Sequence, residues 1–506
     1  MTEAPWSNLA VAPAALGLLA GVVLLLVRGP VLRRALASAA CLAQLGLAGW
    51  LIRLTLDGDR MVLGVGGWAP PLGIVLVVDL LAAIMLALAA VMAAACHLYG
   101  FFEVSSKAEH PLRLPLWHFL LAGINLSFTT GDLFNLFVAF EVMLIASYAL
   151  LTLEANDWDV KQAYPYVAMN LVGGSLFLIA VGFVYGVFGT LNMAQLAQRL
   201  AEQPDHPVVL LAGLLLFAVF ALKAGVFPLY YWLPNSYPIL AAPLGAFYAG
   251  MLTKVGVYVL LRIYGTVFPH DLAVLHQLMG WLAALTMVLA VMGAVSRGFV
   301  RGILSWHILS QIGYMVVAIG LFTQTAVAAC IYYIVHHIIV KATLFLAGAA
   351  GACRCGSDDL DRVSGVARVS PWLAACFFLQ AMSLAGVPPL SGFWGKFVII
   401  VEGIRLGQWW WVAAAVAAGV LTLFSMLKIW NSLFWGEPGE AARRPADARF
   451  RGMLAACLLL TGLSLVIGLG VGPFFHMAET AAAAALDQAG YAADVLGIAG
   501  KGKGAP

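Results

Sequence analysis

Charge is what this sequence has least of. Of 506 residues, 10% are Asp, Glu, Lys or Arg, and the net charge is +3. A soluble domain carries about 25% charged residues. So small and scattered a positive excess excludes a nucleic-acid groove. Apolar residues make up 63% of the chain, and the mean hydropathy is +0.96. Such a chain lacks the polar surface to face water on every side, which excludes a soluble enzyme and a disordered protein. Its solvent is a bilayer, where each spanning helix needs about 20 residues.

Cysteine is scarce too. Cys41, Cys96, Cys330, Cys353, Cys355, Cys376 and Cys457 form no pairing framework. The close pair Cys353 and Cys355 has no second pair and no histidine cluster near it in sequence, so it reads as structural. There is no Walker A loop, no GxGxxG before a helix, no metal-ligand spacing and no nucleophile elbow. No cofactor or metal is therefore expected, nor an enzyme activity. Energy must come from an ion gradient or from partner subunits. The N-terminus carries Glu3 rather than a basic region, so no secretory signal is expected.

What is present is a succession of apolar runs. They predict an all-α membrane protein with about fourteen spans, near 8–27, 35–52, 72–99, 114–130, 133–153, 164–188, 207–231, 238–264, 272–295, 301–322, 325–350, 371–404, 409–434 and 452–475. The mixed stretch 191–202 reads as an amphipathic surface helix. With both termini outside, fifteen Lys and Arg fall in cytoplasmic connections and five in the opposite ones. That bias predicts periplasmic ends. The polar loop 436–450 is a plausible docking surface, and the Gly-rich tail after 485 is expected to be poorly ordered.

One echo divides the chain. Ala224-Gly225-Val226-Phe227-Pro228 returns as Ala385-Gly386-Val387-Pro388-Pro389, each inside an apolar run. Gly225 with Pro228, and Gly386 with Pro388 and Pro389, should break their helices. Each break precedes a lysine-bearing helix, with Met251-Leu252-Thr253-Lys254 in the first half and Met426-Leu427-Lys428 in the second. Two inverted repeats of about five spans follow, and paired broken spans point to a transport site. The expected units are 1–112 (three N-terminal helices), 113–266 and 267–436 (the repeats, each a proton half-channel), and 437–506 (loop, last helix and tail).

Five of the nine lysines fall within predicted spans: Lys223, Lys254, Lys341, Lys396 and Lys428. A central charge costs about 2.5–3.5 kcal/mol, hence about 12–17 kcal/mol for five unrelieved ones. That rivals the whole stability of an ordinary domain, about 5–15 kcal/mol. Water, an acid partner or loss of the proton must relieve them, and each remedy belongs to a proton wire. Glu141, apolar on every side in LFVAFEVMLI, is the matching acid. It is expected to pair with Lys223 and gate its proton. Lys254 is the next station, and Lys396 the terminal one. His337 and Lys341 lie four apart on one helix face, and histidine titrates near neutrality. His336 points another way, so one of the two histidines should lie on the path. His307 and Lys428 are candidates that interfacial placement explains equally well. Asp132 reads as a helix cap, and Asp79 lies at another span end.

These residues resemble the proton-pumping membrane subunits shared by respiratory complex I and the multisubunit Mrp sodium/proton antiporters. The motifs are a mid-helix glutamate in the fifth span, lysine before a broken seventh span, lysine in the eighth, histidine in the eleventh and GVPPLSGFWGK in the twelfth. The resemblance covers roughly 70–475. It implies fourteen helices, with inverted repeats over spans four to eight and nine to thirteen. It also implies a buried axis of Glu141, Lys223, Lys254, His337 and Lys396. GDLFNLFVAFEVMLIASYALLTLE, LSWHILSQIGYM and HHIIVKATLFLAGA look like the D-type subunits of the Mrp branch. The nearest complex I relative usually has glutamate where Lys396 stands and histidine near Gln311, and both departures favour Mrp. The implied partners are the other Mrp antiporter subunits, of types A, B, C, E, F and G, in a hetero-oligomer of a bacterial inner membrane, with protons and sodium as the transported ions. A complex I or hydrogenase-type pumping subunit, and a non-conducting scaffold, are the alternative readings.

Overall fold

The structure is a computed structural model that describes residues 6–202, 206–443 and 445–499. Away from water a backbone must satisfy its own hydrogen bonds, and apolar runs of this length do so as helices. Helices α1 (Ala12–Leu26), α2 (Pro30–Thr55), α3 (Leu80–Glu103) and α4 (Arg113–Thr129) come first. Then follow α5 (Leu133–Thr152), α6 (Asp157–Phe188), α7 (Met193–Glu202), α8 (Pro207–Ala224), the short α9 (Leu233–Ser236) and α10 (Ala242–Arg262). The next five are α11 (Ala273–Ser296), α12 (Val300–Leu321), α13 (Gln324–Cys355), the short α14 (Val366–Val369) and α15 (Pro371–Ala385). The last are α16 (Ser391–Arg405), α17 (Trp409–Ile429), α18 (Ala448–Leu469), α19 (Val471–Leu486) and α20 (Gln488–Ala499). Each expected span contains helix. Among the described residues, eleven helices are long and apolar enough to cross a membrane, and Ala12–Leu26 and Pro371–Ala385 are shorter apolar ones.

Helix starts are marked as their sequences suggest. Asp132 caps α5, its carboxylate accepting from the Asn135 N–H at 2.8 Å, and Asp79 does the same for α3 through Ala82 at 2.9 Å. Asp79 also accepts from both terminal guanidinium nitrogens of Arg262, at 2.6 and 2.7 Å. This buried clip ties the start of α3 to the end of α10.

Two expectations are corrected. The run 72–99 is not helical from its start: Val75–Val78 forms strand β2, paired antiparallel with β1 (Met61–Gly64). Three β-branched valines before the Asp79 cap favour the extended form. The tail is not poorly ordered up to residue 499. α19 and α20 continue it, with Ala481, Ala482, Ala485 and Tyr491 buried. Arg60 holds them through Asp487 and Asp494. Alanine repeats make good helix, and their small side chains let α19 lie closely on the bundle. The stretch 500–506 lies outside the described residues. The amphipathic helix expected over 191–202 is α7, which buries Met193, Leu196 and Leu200.

The connections segregate to two ends of the bundle. One end gathers the β-hairpin, Thr130, Asn192, α7 and the α19–α20 junction. It is joined by the bridges Leu76 to Thr130 and Asp132 to Asn192 and by the Thr266 hydroxyl on the Ala485 carbonyl at 2.8 Å. The other carries Arg34 on Glu109, Arg301 on Asp358 and Arg354 on the Ala442 carbonyl. Arg113 and Arg301 line one cavity there with Glu154 and Asp159, and Arg297 and Arg301 a second with Asp159 and Asp358.

Candidate functional site

The two helix breaks have the same backbone construction. Gly225 adopts φ +78° and Gly386 φ +96°, a left-handed conformation that glycine enters without strain. The Gly225 N–H donates to the Ala221 and Leu222 carbonyls, and the Gly386 N–H to Met382 and Ser383. The next N–H reaches back once more, from Val226 to Ala221 at 2.8 Å and from Val387 to Met382 at 3.0 Å. The two ends carry identical Schellman caps. The last carbonyls of each half-helix remain for other donors.

The first break holds Lys223. It is buried, and its ammonium donates to the Asn170 backbone carbonyl at 3.2 Å and to Asn170 Oδ1 at 3.3 Å. The Leu222 carbonyl takes the Trp232 indole N–H at 3.1 Å. Lys223, Asn170, Tyr166 and Trp232 line a void of about 10 Å³, room for about one water. Glu141 on α5 is half-buried. The expected contact pair is not formed: Lys223 is bonded to Asn170. The two meet α6 at successive residues, Glu141 against Gly174 and Lys223 against Gly173, where a Cβ would lie 2.7 Å from the carboxylate and 3.4 Å from the ammonium. α10 comes against this break at Gly256, where a Cβ would stand 2.5 Å from the Ala224 nitrogen.

Lys254, two residues before Gly256, is fully buried. Its ammonium donates to the Ala249 carbonyl at 2.5 Å and to the Thr253 hydroxyl at 3.3 Å. α10 packs on α13 at Gly250, against the Ile338 carbonyl, in the turn that carries His336, His337 and Lys341. His337 and Lys341 are fully buried. Neither ring nitrogen of His337, nor the Lys341 ammonium, has a hydrogen-bond partner within the described chain. Such groups cost about 1–3 kcal/mol each and in a native protein call for a functional or solvent explanation.

His336 faces elsewhere. Its Nδ1 is 2.8 Å from the Ser391 hydroxyl, which lies 3.1 Å from that of Ser383 and 3.5 Å from that of Ser464. On the other side the Tyr333 hydroxyl donates to Gln311 Oε1, and Gln311 Nε2 to the Thr422 hydroxyl at 3.5 Å. His307 is buried, 2.5 Å from the Ser425 hydroxyl. Lys396, from α16, folds back across the second break. It donates to the Leu384 carbonyl at 2.8 Å and the Ala385 carbonyl at 3.3 Å, with its ammonium 4.5 Å over the Tyr314 ring. Lys428 stands apart. It donates to the Val295 and Arg297 carbonyls at 3.1 and 2.6 Å, capping the end of α11.

The fold therefore brings Lys254, His337 and Lys341 to one α10–α13 contact. It places Lys223 and Lys396 at half-helix ends and leaves Lys428 as a cap. Sequence reasoning missed Asn170, Tyr333, Gln311, Thr422 and Ser391. Neutral polar residues are common where helices pack, and nothing in their spacing set these apart. It also missed a group outside this row, Cys41, His97 and His118, which three helices bring together.

Comparison with known proteins gives the same direction. The family profile described as NADH:quinone oxidoreductase/Mrp antiporter, TM matches residues 130–422. The D-type subunit of a Na(+)/H(+) antiporter from Alkalihalophilus pseudofirmus is 41% identical over 491 residues, 97% of this chain and 99% of that protein. A chain of the Mrp complex from a Dietzia species superposes with a TM-score of 0.91 at 32% identity, covering 97% of this chain and 100% of that one. A chain of respiratory complex I from Thermus thermophilus shares the fold, with a TM-score of 0.80 at 23% identity over 94% and 99% of the two chains.

Proposed function

Because the chain belongs to the NADH:quinone oxidoreductase/Mrp antiporter family of transmembrane proteins, and so is a membrane antiporter subunit, we propose that it is the D-type subunit of a multisubunit sodium/proton antiporter. In this reading it carries protons along its buried polar row and works in a hetero-oligomer with the other subunits of that complex. The bacterial inner membrane is its location.

The observation that carries this reading is the juxtaposition of Lys254 with His337 and Lys341. All three are fully buried, and two of them have no hydrogen-bond partner among the described residues. An ion pair or a packing role would give each head a fixed partner. Unsatisfied donors and acceptors at one helix contact suit groups that exchange protons with mobile water. Protons reach Lys223 or Lys254 from one half-channel, pass His337, and leave by Lys396. Lys223 rests on Asn170 when Glu141 stands off, and closure of Glu141 onto it stabilises the charged lysine. Opening sends the proton onward. Neighbouring subunits or the sodium step bias that swing.

The test is sodium/proton exchange in everted vesicles carrying the whole complex. Glu141→Ala and Lys223→Ala should each abolish exchange while the complex still assembles. Normal exchange in either variant refutes the assignment. Full exchange with methionine at Lys223, Lys254 and Lys396 would make the chain a scaffold.

A further inference from the structure

Helices α2, α3 and α4 precede the matched family region, 130–422, and contribute no residue to the row above. They nevertheless converge on three side chains with metal-binding chemistry: Cys41 from α2, His97 from α3 and His118 from α4, exposed by 2%, 4% and 0%. One ligand atom from each lies within 4.8 Å of the other two. The Cys41 sulfur is 3.8 Å from His97 Nδ1. Bonds of about 2.0–2.3 Å to a shared ion need ligand atoms roughly 3.4–3.7 Å apart, so the trio must close in by about an ångström, and His97 must turn its Nε2, rather than the Nδ1 that lies nearest the sulfur, toward the ion.

The hydrogen bonds favour ligation. His97 Nδ1 donates to the Ala93 carbonyl at 2.8 Å. That bond fixes the tautomer and leaves Nε2 with a free lone pair, the arrangement metal-ligating histidines adopt. His97 Nε2 and both nitrogens of His118 have no hydrogen-bond partner among the described residues. Trp117 packs on the His97 ring at 4.6 Å between centroids, with Phe101 at its edge. An ion held among these rings would use the free lone pairs.

We propose that Cys41, His97 and His118 form a structural site for a thiophilic d¹⁰ cation that staples α2, α3 and α4 together. One thiolate and two imidazoles suit Cu(I) or Zn(II) and not the oxygen-seeking ions. Copper(I) with one thiolate is neutral and complete with three ligands, which suits an apolar surround. Zinc would keep a net charge and need a fourth ligand. Binding exchanges the thiol proton for the metal bond and releases that proton.

The test uses the full chain in detergent, with Cys353→Ser and Cys355→Ser to remove the exposed pair. Cu(I), under anaerobic conditions, and Zn(II) are supplied separately, and unbound ion is removed by gel filtration. About one equivalent of one ion should be retained, with sulfur in its X-ray absorption shell. Retention should fall to background in both Cys41→Ser and His118→Gln. Whichever ion is held identifies the site's metal. In the chain with all three ligands intact, that ion should also slow alkylation of Cys41 at least ten-fold, a readout that does not depend on a variant folding. Failure to retain either ion, retention unchanged in either variant, or unaltered Cys41 alkylation overturns the proposal. Exchange activity plays no part in the measurement, so this outcome is independent of the transport reading.

Discussion

The ammonium of Lys396 lies 2.8 Å from the carbonyl oxygen of Leu384, and Leu384 occupies in the second broken helix the position Lys223 occupies in the first. The two caps are built alike, yet the charge reaches them by different routes. In the first half it is part of the ending helix. In the second it returns from the helix that follows. In both cases a cation sits at the negative end of a half-helix, where the dipole and the freed carbonyls favour it.

Lys396→Met keeps the stem over Tyr314 but removes the donor from Leu384 and Ala385. Exchange in everted vesicles should fall by about 10²-fold or more, the range for a lost proton-transfer group. The complex should still assemble. Unchanged exchange would remove Lys396 from the path.

Lys428→Met is expected to behave in the opposite way. Its bonds go to the Val295 and Arg297 carbonyls, so its loss should lower stability by about 0.3–1 kcal/mol and leave exchange intact. Thermal unfolding in detergent beside the vesicle assay separates the two effects. Lost exchange without lost stability would put Lys428 on the path after all.

Gly392→Ala tests the serine branch. A Cβ there would stand 1.9 Å from the Ser383 carbonyl and 2.8 Å from the His336 ring. Overpacking should cost about 1–3 kcal/mol and displace His336 from Ser391. Gly182→Ala is the control, with nothing within 4 Å of its added methyl, and should leave stability and exchange unchanged. Equal effects of the two substitutions would contradict the packing at Gly392.

The Arg60 clip to the C-terminal helices should respond to acid. The Gly490 N–H and, after it, Arg60 hold the Asp487 carboxyl below its ordinary range. A depressed carboxylate contributes stability that is present above its unfolded pKa, about 3.9, and is lost as pH falls through the folded value. Anchoring should therefore be constant from about pH 8 to pH 5 and weaken below about pH 4. Because Asp487 is exposed, the effect should stay under about 1 kcal/mol. Hydrogen exchange across 488–499 reads it, and Asp487→Asn should raise exchange there at neutral pH. A flat profile down to pH 3 would mean that the clip holds nothing.

Much of this was legible in the sequence because the bilayer makes it so. Apolar length fixed the helices, and Gly with Pro placed both breaks. A charge amid apolar residues marked Glu141, Lys223, Lys254 and Lys396 without any geometry. The short extended run before Asp79 was hidden in a long apolar window, since Val and Leu serve helix and strand alike. The ordered tail was hidden by its glycines and by its dependence on Arg60, more than 400 residues away in the chain. Asn170 as the partner of Lys223 had no signal, because an asparagine inside a helix looks the same whether it packs or receives an ammonium.

The chain alone thus determined that there would be membrane helices, two breaks and buried cations, since each follows from the local cost of exposing a peptide group or a charge to hydrocarbon. Which groups meet was decided only by packing. Gly256 lets α10 close on the first break, Gly250 sets Lys254 beside the helix of His337, and three separate helices bring Cys41, His97 and His118 together. Such meetings depend on how close two backbones can come, a quantity set jointly by both helices and written in neither one's sequence.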